Sequence, residues 1–164
     1  MIIGIPKELF AGETRVPFMP ASVKKLTQAG AEVQIESGLG QALQIPDSEF
    51  TDVGATIATD RATLLGSADI ILRLRKPEIA EVSQLKKGSI HISFLDPFNE
   101  AELVDAFAAQ GVTAISMEMI PRTTRAQKMD ALSSQASLAG YAMVILAAER
   151  LDKILPMMMT PAGT

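Results

Sequence analysis

Short runs of β-branched and aliphatic residues alternate along this chain with stretches of helical periodicity, and that alternation narrows the fold more than any other feature. Candidate strands fall at Met1–Ile5, Ala31–Glu36, Ala55–Ala58, Asp69–Leu74, Ser89–Leu95 and Val112–Met117. Helical patterns separate them at about Ala21–Ala29, Asp47–Val53, Asp60–Leu65 and Asn99–Gln110. Strand–helix–strand repetition builds a parallel sheet, because parallel neighbours need crossover connections. Ile70, Ile71 and Leu72 run without interruption, as in a strand covered on both faces. Ser89–Leu95 alternates instead, with Ile90, Ile92 and Phe94 on one side. Pro6 and Pro77 close strands, Pro20 opens a helix, and Gly30, Gly66 and Gly111 stop helices. From Asp130 the pattern changes to one long helix, roughly Ala131–Lys153, apolar on most faces. The expected fold is α/β: a doubly wound, Rossmann- or flavodoxin-like parallel sheet of about six strands, followed by that helix.

At 164 residues the chain is one domain, or one domain with the start of another. The expected division is an α/β lobe over 1–130, a connecting or interface helix over 131–155, and a linker over 156–164. The absence of cysteine excludes disulfides, thiolate metal sites and a Cys nucleophile. A lone histidine, His91, excludes a multi-His metal site and argues against a Ser-His-Asp triad. Net charge is −4, and no Lys/Arg run exceeds two residues, which argues against a nucleic-acid partner. Proline and acid within MIIGIPKELF argue against a targeting segment. Ala131–Ala148 is uncharged, but its serines and Gln135 leave only Leu138–Ala148 truly apolar. A span needs about 20 apolar residues, so no direct membrane insertion is expected.

Ligands of open parallel sheets gather beyond the carboxyl ends of the strands. Those ends carry Lys7 and Arg15, then Arg73, Arg75 and Lys76, then Asp96, then Glu118 and Arg122. The set suits an anionic or dinucleotide partner, or is a solvated fringe of strand-end charges. The densest polar stretch, PRTTRAQKMDALSSQ, holds Arg122, Arg125, Gln127, Asp130, Ser133 and Ser134. A guanidinium, a carboxylate and an amide can meet both ends of a carboxamide. Alternatively, Asp130 caps the long helix while the arginines stay in solvent. Gly38-Leu39-Gly40 lacks the third glycine of a phosphate loop and reads as a turn or helix entry. His91, mid-strand, reads as structural, and Met157–Met159 as packing residues.

MIIGIPKE, GETRV, ESGLGQ and ILRLRKPE resemble alanine dehydrogenase and the N-terminal domain of the proton-translocating NAD(P) transhydrogenase alpha subunit. Alanine dehydrogenases carry a lysine and a histidine where this chain has Arg75 and Asp96, while Arg15, their substrate-carboxylate residue, is kept. Amino-acid oxidation needs a base near the α-amino group, and a carboxylate is a poor substitute for the histidine. PRTTRAQKMDALSSQASLAGY resembles the transhydrogenase signature that lies over the nicotinamide of NAD(H). The resemblance implies that Arg122 and Asp130 hold the nicotinamide end, with Gln127 reaching toward NADP(H) on the partner subunit. It also implies that Ser133 contacts the ring and that Tyr141 lies close by.

By the same resemblance the chain is the N-terminal lobe of the NAD(H)-binding component, and a Rossmann lobe with GxGxxG lies beyond Thr164. The implied reaction is direct hydride transfer from NADH to NADP⁺, coupled to proton movement. The implied partners are the NADP(H)-binding domain of the beta subunit, the membrane component and a second copy of the subunit. Its place would be the cytoplasmic or matrix side of the membrane. The lobe alone is expected to bind NADH weakly or not at all and to be inactive. Two rival readings keep the fold: an alanine-dehydrogenase-like amino-acid oxidoreductase, and a non-catalytic dimerisation or regulatory lobe.

Overall fold

In the computed structural model, which describes residues 1–153, the alternation resolves into β1 (Ile2–Ile5), α1 (Pro20–Gln28), β2 (Glu32–Glu36), α2 (Asp47–Thr51), β3 (Thr56–Ala58) and α3 (Arg61–Ser67). Next come β4 (Ile70–Leu72), α4 (Ile79–Val82), β5 (Ile90–Ser93), α5 (Ala101–Gln110), β6 (Thr113–Ser116) and α6 (Ala131–Arg150). All neighbouring strands pair in parallel, in the order β3-β2-β1-β4-β5-β6. This is the doubly wound arrangement expected, with the strand order reversing between β1 and β4. Met1–Met119 forms one compact unit, and a second begins at Ile120. The expected linker at 156–164 and Met157–Met159 lie outside the described residues.

Each face of the sheet carries its own core. Ile3, Ile5, Val33 and Ile35 pack with Val23 of α1 and Phe50 of α2, and Ile70 and Leu72 lean on that cluster. On the other face Ile71 packs with Leu65 of α3, Val82 of α4, and Leu103 and Phe107 of α5. The uninterrupted run Ile70–Leu72 therefore does serve both faces. The turn after β2 explains the two nearby glycines. Gly38 has φ +77°, and a Cβ on Gly40 would sit 2.5 Å from the Ile45 carbonyl oxygen. The segment is a turn leading into a 3-10 helix at Gln41–Leu43, not a phosphate loop.

Several boundaries differ from those the sequence suggests. Gly66 lies inside α3, which Asp60 caps by accepting the Thr63 N–H at 2.8 Å. Helix α4 went unforeseen because its one turn is too short for a periodic signal. The apolar alternation of β5 also misleads: Ile90 and Ile92 are half-buried, whereas His91 and Ser93 have no exposed surface. In register, Ile90 and Ile92 lie on the face of Ile70 and Leu72, where α1 and α2 cover the β1–β3 side of the sheet. His91 and Ser93 lie on the face of Ile71, under α4 and α5.

His91 is thus structural, as expected. Its Nε2 lies 3.1 Å from Ser93 Oγ and its ring centroid 5.0 Å from that of Phe107. Burial, reinforced by the Arg73 charge, lowers its pKa from 6.5 to about 3. The unfolded chain therefore binds a proton below pH 6.5 that the folded chain refuses, and stability falls as pH falls. By pH 5, above the ordinary carboxylate range, the loss should reach about 2 kcal/mol. Urea midpoints between pH 7 and 5 should show this slope in the native chain and lose it in His91→Phe. An equal slope in both would assign it elsewhere.

The second unit contains a 3-10 segment, Thr124–Met129, and helix α6. Apolar side chains of α6 are exposed on every side, among them Leu138, Tyr141, Met143, Val144 and Ile145. Contrary to the expectation of too short an apolar run, α6 is long and apolar enough, at 20 residues and mean hydropathy 1.4, to cross a membrane. Alanine and glycine dilute its serines in a way that a count of large apolar residues misses. Core helices of soluble proteins meet the same criterion.

Candidate functional site

Chemistry-bearing side chains collect in two places, one in each unit. In the first they line the carboxyl ends of the strands at the β1/β4 reversal. The strand-end cations anticipated there are mostly neutralised. Glu13 binds Arg15 at 2.7 Å and Arg75 at 2.9 Å, and the Arg75 guanidinium lies 4.5 Å from the Phe10 ring centroid. Hydrogen bonding to Arg15 lowers the Glu13 pKa to about 2, keeping it ionised. Arg73, almost fully buried, binds Glu81 at 3.0 Å, and Lys76 pairs with Glu100. Only Lys7, of the cations on this rim, has no ion-pair partner among the described residues. Its side chain lines a cleft of about 270 Å³ together with Thr14, Arg15 and Gln41.

Beneath that cleft Arg61 joins three segments. It binds Glu36 at 2.5 Å, Glu81 at 2.6 Å and the Lys7 carbonyl at 2.9 Å. Glu36 also accepts the Lys7 N–H at 2.8 Å, so both polar groups of that peptide are held. Burial pushes the Glu81 carboxyl up, but Arg61 and Arg73 together leave it below its ordinary value. The sequence gave little warning of Glu8, Glu13, Glu36, Arg61 and Glu81. The spacing Glu13-x-Arg15 was the one local signal available, since the other partners are distant along the chain.

Asp96 stands at the carboxyl end of β5 with φ +53° and accepts a hydrogen bond from Asn99 at 2.9 Å. Glu118 accepts the Leu95 N–H at 2.9 Å and the Asp96 N–H at 2.5 Å. Burial raises its pKa, and the Ser116 hydroxyl with these N–H groups lowers it further than burial raises it.

In the second unit, Asp130 caps α6. One carboxylate oxygen accepts the Ser133 N–H at 2.9 Å and the other the Ser133 hydroxyl at 2.6 Å. That hydroxyl, then the N–H, and then the Arg122 charge hold the Asp130 carboxyl below its ordinary pKa. Arg122, Asp130 and Ser133 are thereby brought together. Gln127 is exposed on the 3-10 segment, and its side-chain amide has no hydrogen-bond partner among the described residues. Tyr141, eight residues beyond Ser133, stands about 12 Å further along the helix axis and exposed. The helix cap is therefore real, and it coexists with an array of amide, guanidinium and carboxylate groups at one helix end.

The profile of the family described as "Alanine dehydrogenase/PNT, N-terminal domain" matches residues 4–139. The chain is 43% identical over its whole length to an NAD(P) transhydrogenase subunit alpha polypeptide of Rhodospirillum rubrum, covering 44% of that relative. It is 31% identical to an alanine dehydrogenase of Methanococcus maripaludis over 93% of its own length and 40% of the relative's. Among solved structures, transhydrogenase from Sinorhizobium meliloti superposes with a TM-score of 0.89 at 45% identity, over 99% of this chain and 48% of that one. The chain thus spans less than half the length of these relatives.

Proposed function

Because this chain belongs to the family of the alanine dehydrogenase/PNT N-terminal domain, we propose that it forms the N-terminal lobe of the NAD(H)-binding component of a proton-translocating NAD(P) transhydrogenase. The observation that carries this reading is the Arg122–Asp130 segment. Its cap arranges Arg122, Asp130 and Ser133, and its Gln127 amide is exposed without a partner among the described residues. NAD(H), when bound, supplies the hydride. Arg122 can donate to the carbonyl of a carboxamide and Asp130 can accept from its N–H₂. Ionised well below neutral pH and fixed to Ser133, Asp130 holds that acceptor in one orientation. Gln127 is free to reach toward NADP(H) held by the partner subunit's NADP(H)-binding domain.

Direct transfer between two nicotinamides needs no general base, only approach to roughly 3–3.5 Å and alignment. The chain's chemistry agrees with that requirement. Its one histidine is buried among apolar groups and kept neutral, far from any role as a base. The alanine-dehydrogenase reading asks for a histidine where Asp96 stands, and Glu13 already occupies both Arg15 and Arg75. The all-round apolar surface of α6 supports burial of that helix by further protein, consistent with a homodimer and with the remainder of a longer subunit. The complex would lie on the cytoplasmic or matrix side, joined to the membrane component.

The test is hydride transfer from NADH to an NADP⁺ analogue by the full-length subunit mixed with the NADP(H)-binding domain, alongside an assay of alanine with NAD⁺. Transfer without alanine oxidation is expected. Alanine oxidation without transfer would replace this reading by its rival.

A further inference from the structure

Three carboxylates grip main-chain N–H groups at the carboxyl end of the sheet, each reaching from one strand to the loop of its neighbour. Glu36, ending β2, holds Lys7; Glu8, after β1, holds Leu74 at 2.5 Å and Arg75 at 3.3 Å; Glu118, after β6, holds Leu95 and Asp96. The third stands apart by its place in the chain. Glu118 sits in the 3-10 turn Met117–Met119, and Met119 is the last residue of the first unit. The chain then passes within a few residues to Arg122, Gln127 and Asp130.

The grip is also the more demanding one. Asp96 is one of two non-glycine residues at positive φ among those described, a conformation that costs about 1 kcal/mol or more and persists only where surroundings enforce it. A single Glu118 oxygen, Oε1, accepts from both Leu95 and Asp96, and the Asp96 carboxylate is tied in turn to Asn99. Thus the exit of β6 and the turn after β5 fix one another. We propose that Glu118 is a positioning residue: by accepting the Leu95 and Asp96 N–H groups it anchors the root of the Arg122–Asp130 segment. Its catalytic consequence rests on the proposed function, but the anchor itself does not.

The two are separated by experiment. Trypsin can cut after Arg122, Arg125 and Lys128, which are exposed, and Lys24 and Lys25 on α1 serve as internal controls. In Glu118→Ala, cleavage at the three segment sites should accelerate about tenfold relative to the α1 sites. Glu118→Gln, whose carbonyl oxygen can still accept both N–H groups, should cleave as the native chain does. If the alanine variant does not fold, Glu118→Asp, one methylene too short for the contact, serves in its place. Unchanged relative cleavage overturns the anchor, and so does equal acceleration in Glu118→Gln, which would make charge rather than N–H capture responsible. In the complete enzyme the alanine variant should lower kcat for nucleotide-to-nucleotide transfer with KM for NADH little changed, and glutamine should restore it. If the native enzyme transfers no hydride, the proposed function fails while the cleavage pattern still decides the anchor.

Discussion

Replacing Gln127 by asparagine in the complete enzyme is expected to lower hydride transfer to NADP⁺ about hundredfold while leaving NADH affinity little changed. The structure makes this a clean test of chemistry. The Gln127 amide has no side-chain partner among the described residues, so shortening it should cost the fold nothing. Its carbonyl oxygen, which accepts the Asp130 N–H at 3.3 Å, belongs to the main chain and survives the change. Removing one methylene withdraws the amide from whatever it reaches, and a misplacement of about 1 Å in a positioned transfer can cost roughly 10²-fold. Affinity for NADH should hold because Arg122, Asp130 and Ser133 are untouched. Single-turnover transfer, with binding measured separately by nucleotide fluorescence, distinguishes the two quantities. Unchanged turnover would remove Gln127 from the site.

The largest effect on stability is expected at Arg61. In Arg61→Met the carboxylates of Glu36 and Glu81 lose a guanidinium that meets them at 2.5 and 2.6 Å, and the Lys7 carbonyl loses a donor. The Glu36 and Glu81 side chains are only 16% and 13% exposed, so water cannot fully replace what is lost. Breaking one member of a largely buried ion-pair network costs about 3 kcal/mol, which in a domain of this size lowers Tm by about 10 °C. Combining Arg61→Met with Glu36→Gln should recover part of the loss, because an uncompensated charge is removed while a Lys7 N–H acceptor remains. Thermal and urea unfolding of the set gives the coupling directly. A loss below about 1 kcal/mol would place these pairs with ordinary surface salt bridges.

Much of the fold was legible because the information is local. The β-branched runs, the proline and glycine stops and the amphipathic Asn99–Gln110 pattern each act within a few residues, and all six strands fall inside their expected ranges. The same holds for the Asp130 cap, where acceptor and donor are three residues apart. The polar segment Arg122–Ser133 was visible for the same reason: its members are neighbours in the chain. Legibility failed where partners lie far apart. Arg61 meets Lys7 across 54 residues, and Arg75 meets Glu13 across 62. What read as a fringe of free cations is therefore a paired network.

The sequence by itself determined that the sheet is parallel and doubly wound, because period-2 runs joined by helical crossovers admit little else. It also determined that no thiolate or multi-histidine chemistry is available. Only the tertiary structure decided which face of β5 is the more deeply buried. Alternation records that Ile90 and Ile92 share a side, but the depth of each side depends on where the covering helices fall. With α4 and α5 over one face, His91 and Ser93 became the interior and the isoleucines the half-buried margin. Charge followed the same logic: a lysine or glutamate at a strand end is free or paired according to what the neighbouring strand brings to within about 3 Å, and strand order is a property of the whole sheet.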